Sequence, residues 1–266
     1  MNPDHEIQEG KFTVDGLDIN CIQVGSGNHP VLLMPGLVVT PSVHFKPQIE
    51  NLSREKFRII AWDPPGYGKS RPPDRTFPED FLERDAILAC NLMTTLGHSI
   101  FSIIGMCHGG ISAIILASIF PEKIRKMVII SGRAYFSPHE YIMKEGDRNV
   151  DLWPARDRDP MVATYGYDYF RKTWDAGIDM VEKLCEKNKG DVCKNHVPRV
   201  KCPTLIIHGK KDDLVDQEQA FYLNRHIPNS RAVMELYLRE NENSGEVGIL
   251  CDDFRACASA KSAEPK

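Results

Sequence analysis

Short, unbroken apolar runs alternate along this chain with longer amphipathic stretches. The runs "VLLMPG" (31–36), "FRIIAWD" (57–63), "IFSIIG" (100–105), "KMVIIS" (126–131) and "PTLIIHG" (203–209) are rich in Val, Ile and Leu. A strand with one wet face alternates apolar and polar residues, so continuous runs predict parallel strands covered on both faces. Between them, 45–54, 79–96, 109–120 and 215–226 carry helical patterning. Strand alternating with helix predicts an open, mostly parallel α/β sheet, with its ligand site beyond the carboxyl ends of the strands. Ahead of the first run, "KFTVDG" (11–16) and "LDINCIQVG" (17–25) read as a hairpin turning at Asp15-Gly16, a favoured two-residue turn pair. The last strand candidate is "RAVMELYL" (231–238).

The interval from Arg133 to Arg199 breaks the rhythm, with "YGYDYF", "RKTWDAGIDMVEKLCEKN" and few long apolar runs. It reads as a helical cap over the sheet. The division that follows is one domain: 11–132 as the first half of the core, 133–200 as the cap, 201–238 as the rest of the core, and 239–266 as a divergent, polar tail. Trp62, Trp153 and Trp174 are expected to pack. Tyr135, Tyr165 and Tyr167 lie in or near the cap, where they either pack or line a pocket.

Composition narrows the class. The 266 residues are 42% apolar and 26% charged, an ordinary globular balance able to bury a sizeable core. A net charge of −4 gives no reason to expect nucleic acid or an anionic membrane as partner. No apolar run approaches the roughly 20 residues of a membrane span. The eight cysteines form no CxxC pair and no zinc-site spacing, so free thiols, no metal and a reducing compartment are expected. "MNPDHEIQEGKF" resembles neither a secretory nor a transit peptide. Cytoplasm is the expectation, with the mitochondrion as the alternative.

The chemistry centres on "IGMCHGG" (104–110), set between a strand and a helix. In the pattern G-x-nucleophile-x-G the glycines permit a strained turn and close strand–helix passage, and the turn aims the nucleophile at the helix N-terminus. Cys107 holds that position; the alternative is a small cysteine buried in a tight turn. An oxyanion hole would use the backbone N–H groups of His108 and of Leu37, just after Met34-Pro35-Gly36. Asp212, in "LIIHGKKDDLVD", follows a later strand as an acid should, ahead of its neighbour Asp213. "DPPGYGKS" imitates a phosphate-binding loop, but Asp63 replaces the first glycine and Pro64 and Pro65 remove backbone donors, which excludes nucleotide binding there.

Taken together, the elbow, "AWDPPGYGKSRPPDR", "FLERDA", "YGYDYF" and "PRVKCPTLIIHGKKDDLV" resemble the α/β-hydrolase superfamily, and more narrowly its valacyclovir hydrolase-like (biphenyl hydrolase-like) group, from about residue 11 to about 231. The resemblance implies an α/β-hydrolase fold with a helical cap. It also implies cofactor-free hydrolysis of small carboxylic or aminoacyl esters by a Ser–His–Asp triad. Cys107 falls at the serine, Asp212 at the acid and Leu37 at the oxyanion loop. Four departures follow. Cysteine replaces serine. His108 stands where the aminoacyl-ester hydrolase has an acidic residue for the substrate's ammonium, so no aminoacyl preference is expected. "PGLVVTPS" lacks the group's extra glycines, which implies a crowded oxyanion site. The family's catalytic histidine, in a "G-K-H-N" run after the last strand, has no counterpart: either Glu240 occupies its place or the run is deleted, and no histidine follows His226.

His44, in the loop after the first parallel strand, and His226 are the candidate substitute bases. His208 is expected to be structural, His196 to belong to the cap, and the His108 side chain to diverge from that of Cys107. A thiol without its imidazole is expected to acylate slowly and then stall, since hydrolysis of the thioester needs an activated water. The partner implied is a small ester or acid. The alternative is a non-catalytic, degenerate hydrolase that binds a small ligand or a protein.

Overall fold

The computed structural model describes residues 7–235. Its strands are β1 (Gln8–Val14), β2 (Leu17–Val24), β3 (His29–Met34), β4 (Phe57–Trp62), β5 (Phe101–Met106), β6 (Ile124–Ile130), β7 (Thr204–Gly209) and β8 (Ser230–Glu235). They form a single sheet in the order β1-β2-β4-β3-β5-β6-β7-β8. The β1–β2 hairpin closes with Val14 opposite Leu17, and Asp15 and Gly16 between them have φ of 50° and 80°. Two positive φ values match the right-handed twist of the flanking strands, which is why an Asp-Gly pair suits this turn. β2 meets β4 antiparallel, and every later pairing is parallel.

Both faces of the sheet are covered. Leu32, Ile60 and Ile103 belong to one buried cluster, with residues of α3 (Phe81–Thr95) and α4 (His108–Ile119). Leu33, Ile59 and Ile104, on alternate positions, belong to another, with Phe45 and with Ile49 of α2 (Lys46–Asn51). Successive strand residues are therefore all buried, which accounts for the unbroken apolar runs. The helix read from 45 to 54 is shorter than the pattern implied. A separate turn, α1 (Pro41–His44), precedes it.

Between β6 and β7 lie α5 (Pro138–Gly146), α6 (Ala155–Tyr165) and α7 (Tyr167–Asn188). α8 (Gln217–His226) joins β7 to β8. A third cluster joins Tyr165, Phe170, Trp174 and Ile178 to Leu37, Val38 and Tyr67 of the core. Trp153 and Trp174 meet edge to face at 4.7 Å, and both indoles donate to the Asp147 carbonyl. Trp62 is fully buried, so all three tryptophans pack. Tyr167 instead sits on the surface with its hydroxyl on Asp151.

Three sequence runs distant along the chain meet in one strap. Arg75 makes a two-pronged ion pair with Asp85, at 2.9 and 2.6 Å. Tyr169 Oη accepts the Arg75 backbone N–H and donates to the Gly66 carbonyl, while Tyr165 Oη accepts the N–H of Gly68. The Asp63 carboxylate accepts from Asn20 and from the Lys69 N–H, so a backbone donor that a phosphate would need is already taken. Burial pushes the Asp63 carboxyl above its ordinary range, and those two donors pull it partly back. Among the described residues no helix is long and apolar enough to cross a membrane.

Candidate active site

The strand order reverses direction at β3: β4 lies on one side of it and β5 on the other. That switch point opens a crevice at the carboxyl ends of β3 and β5. Gly36 and Leu37 follow β3 and Cys107 follows β5; Cys107 is partly exposed, whereas Leu37 is buried in a cluster with Trp174 and Ile178. The two elements touch: a Cβ at Gly36 would lie 3.4 Å from the Cys107 Cβ.

Cys107 has φ 52° and ψ −117°, a conformation side-chain-bearing residues rarely adopt and one that costs on the order of 1–3 kcal/mol. The surroundings fix it. Its N–H donates to the Ile130 carbonyl at 3.0 Å, and its own carbonyl accepts from Gly110 and Ile111 in the first turn of α4. The flanking glycines admit no side chain. A Cβ at Gly105 would lie 2.6 Å from the Gly109 carbonyl oxygen, and one at Gly109 only 2.0 Å from that of Met34. The thiol is partly exposed at the N-terminus of a twelve-residue helix, where the helix dipole favours negative charge.

The histidines separate by geometry. His108 departs from expectation: its ring turns back toward the thiol instead of diverging, placing Nδ1 3.5 Å from Cys107 Sγ. The ring is buried, tilted against Phe136 at 6.0 Å, and borders a cavity of about 20 Å³ with Met34, Trp62, Arg75 and Ser112. His44 reaches the loop after β3, where Nδ1 accepts the Gly36 N–H at 3.0 Å. A neutral imidazole has one acceptor nitrogen, and here it is engaged by the backbone; the ring flanks Gly36 beside the elbow, since a Cβ at Gly36 would lie 2.6 Å from His44 Cε1 and 3.4 Å from the Cys107 Cβ. His226 ends α8. A helix joining two parallel neighbours runs opposite to them, so His226 lies at the amino ends of the strands, across the sheet from the elbow. Its exposed ring stacks on Tyr222 and bonds the Tyr222 carbonyl. His208 Nε2–H donates to the Val215 carbonyl inside the core, and His196 pairs with Ser118 at 2.6 Å.

Asp212 closes the turn after β7, one carboxylate oxygen accepting the N–H groups of Leu214 and Val215 at 3.0 and 2.9 Å. One strand, β6, separates β5 from β7, so the two strand ends stand about 10 Å apart. Glu240 and the family's histidine position fall outside the described residues. In the loop after β3, Val38 is buried at φ 55°, an uncommon conformation for a β-branched residue. The glycines missing from "PGLVVTPS" thus leave a strained, closely packed loop under the cap.

The remaining thiols differ in setting. Burial pushes Cys21 up to about 12 and Cys202 to about 11, and raises Cys193 further. Among the described residues no group of three or more His, Cys, Asp or Glu is placed to hold a metal ion.

Comparison with known proteins agrees with this architecture. Residues 29–160 match the family model of the alpha/beta hydrolase fold. The human protein named serine hydrolase BPHL is 42% identical over 225 residues, covering 85% of this chain and 77% of its own length. The mouse protein of the same name is 41% identical over the same coverage. Among solved structures, the 2-hydroxy-6-oxo-6-phenylhexa-2,4-dienoate hydrolase of Rhodococcus sp. strain RHA1 superposes with a TM-score of 0.73 at 19% identity, covering 86% of this chain and 90% of that one. The chain is a hydrolase-fold protein with a sharp strand-to-helix turn at Cys107. It belongs to the α/β-hydrolase family, in the biphenyl hydrolase-like group.

Proposed function

We propose that this protein takes an acyl group from small carboxylic esters onto Cys107 and releases it slowly, keeping the first half of its relatives' chemistry. In this reading Cys107 is the nucleophile, the N–H groups of Leu37 and His108 hold the oxyanion, and Asp212 is the acid left without its usual imidazole. The observation that carries it is the strained backbone of Cys107, at φ 52° where β5 turns into α4. Strain of this kind is kept where the turn must present a side chain. Slow release is proposed because residues 227–266, where the family's base would be sought after the last strand, contain no histidine. No cofactor is required, and the partner is a small ester or acid, with neither nucleic acid nor membrane involved.

The test is a time course of nitrophenolate release from p-nitrophenyl acetate. A burst equal to the protein concentration, followed by little turnover and absent from Cys107→Ala, is expected. Sustained turnover that depends on Cys107 overturns the slow release. Saturable ester binding with neither burst nor turnover makes the chain a binding protein instead.

A further inference from the structure

We infer that His108 is the base that ionises Cys107, so that the elbow carries a vicinal cysteine–histidine pair. The inference deepens the acyl-enzyme reading and takes its catalytic meaning from it, although the pair itself is testable without an ester.

Two observations converge on the pair. Nδ1 of His108 lies 3.5 Å from Cys107 Sγ, within reach of an S–H···N hydrogen bond. The ring is 4% exposed and held against Phe136, so it cannot swing into solvent, whereas the sulfur it touches is partly exposed. Among the described residues, these charged and titratable groups stand near the pair. Arg75, Asp85 and Tyr67 border the small cavity beneath the ring. Arg133 lies 4.6 Å from the Phe136 ring and pairs with Glu140. His44 is held at Gly36, and Asp212 stands two strands away.

The pair gives an acylation step with a built-in selectivity. The proton moves from Sγ to Nδ1, leaving thiolate and imidazolium. The thiolate attacks the ester carbonyl carbon, the C–S bond forms, and the carbonyl π pair moves to oxygen. Collapse of that oxyanion breaks the C–O bond and expels the leaving oxygen with the bonding pair. Because the ring is buried beneath the elbow, its proton is not handed to the departing oxygen. The products are the thioester, the free oxyanion and the proton on His108. An aryloxide leaves readily as the anion and an alkoxide does not, so aryl esters acylate Cys107 and simple alkyl esters do not. The same burial withholds the ring from a water attacking the thioester, which accounts for slow release.

The experiment is alkylation of Cys107 by iodoacetamide from pH 5 to 9, followed by peptide mass spectrometry so that other cysteines are counted apart. Wild type, His108→Asn and His108→Phe are compared, each checked for a cooperative melt. An ordinary thiol is roughly 0.3% thiolate at pH 6, and a paired thiolate is abundant there though individually less nucleophilic. Wild type is therefore expected to alkylate at least about tenfold faster than either variant at pH 6, on a plateau that both variants lose. Identical profiles overturn the inference. Should neither variant fold, ¹⁵N NMR of the wild-type ring decides. Two protonated nitrogens at pH 7, reverting to a neutral ring in Cys107→Ala, are expected, and a neutral ring in both proteins overturns the pair. Loss of the pair with a Cys107-dependent ester burst intact removes only the role of His108. A confirmed pair with no burst removes the acyl-enzyme reading and leaves the pair.

Discussion

Replacing Asp85 with alanine tests whether the strap between core and cap is held by a buried charge pair. Arg75 and Asp85 side chains are only 4% and 14% exposed. Without the carboxylate, the guanidinium keeps the Pro65 carbonyl at 3.2 Å and the faces of Tyr67, Phe77 and Phe81 at 4.9 to 5.4 Å. Breaking a buried pair by removing one partner costs about 3–5 kcal/mol. The aromatic contacts are present in both proteins and cancel in the difference, so the low end of that range, about 3 kcal/mol, is the smallest loss expected. In a chain of this size each kcal/mol moves the melting temperature by about 2–4 °C, so Asp85→Ala should melt at least about 6 °C below wild type. The assay is thermal unfolding followed by circular dichroism, with urea titration as a second route to the same free energy. The double change Arg75→Met/Asp85→Leu should recover more than half of the loss, since it leaves no unpaired charge behind. An Asp85→Ala melt within about 2 °C of wild type refutes the reasoning.

Other changes probe separate parts of the account. Tyr169→Phe leaves the Arg75 N–H and the Gly66 carbonyl without their shared partner and should cost about 1–3 kcal/mol in urea unfolding; no change in midpoint counts against the strap. Gly109→Ala drives a methyl to 2.0 Å from the Met34 carbonyl, so the elbow and the oxyanion loop are forced apart and the ester burst should disappear, whereas a burst of wild-type size contradicts the packing. Burial, followed by Arg125 and Lys126, lowers the His29 imidazole to about 4. The folded protein thus prefers the neutral ring, and its contribution is intact above the unfolded value near 6.5 and declines as pH falls toward 4. His29→Gln should therefore show a smaller acid-induced loss of unfolding free energy than wild type between pH 7 and 4; parallel curves disprove that assignment.

Much of the fold was legible because its signals are local. Val/Ile runs buried on two faces announced the parallel strands, Asp15-Gly16 announced the hairpin, and glycines around Cys107 announced the turn. What stayed hidden depends on direction in space. His108 follows the nucleophile, and one-residue spacing says nothing about where its ring goes; the φ of Cys107 and the packing of Phe136 decide that. Arg75, Asp85, Tyr165 and Tyr169 were visible as motif letters, yet their mutual contacts span up to about a hundred positions and follow no period. The short α1 was missed because four residues beginning at a proline carry no helical repeat. Tyr167, next to buried Tyr165 and two residues from Tyr169, faces out because Gly166 at φ 75° breaks the helix between them.

Intact-mass spectrometry of wild type and Cys107→Ala, mixed with p-nitrophenyl acetate and digested for site assignment, tests the central claim most directly. The account predicts a single acetyl group on Cys107 that persists for many minutes after nitrophenolate release has slowed, with none on the variant at that site. An unmodified Cys107 in wild type, or an acetyl group that never accumulates while turnover continues, contradicts it.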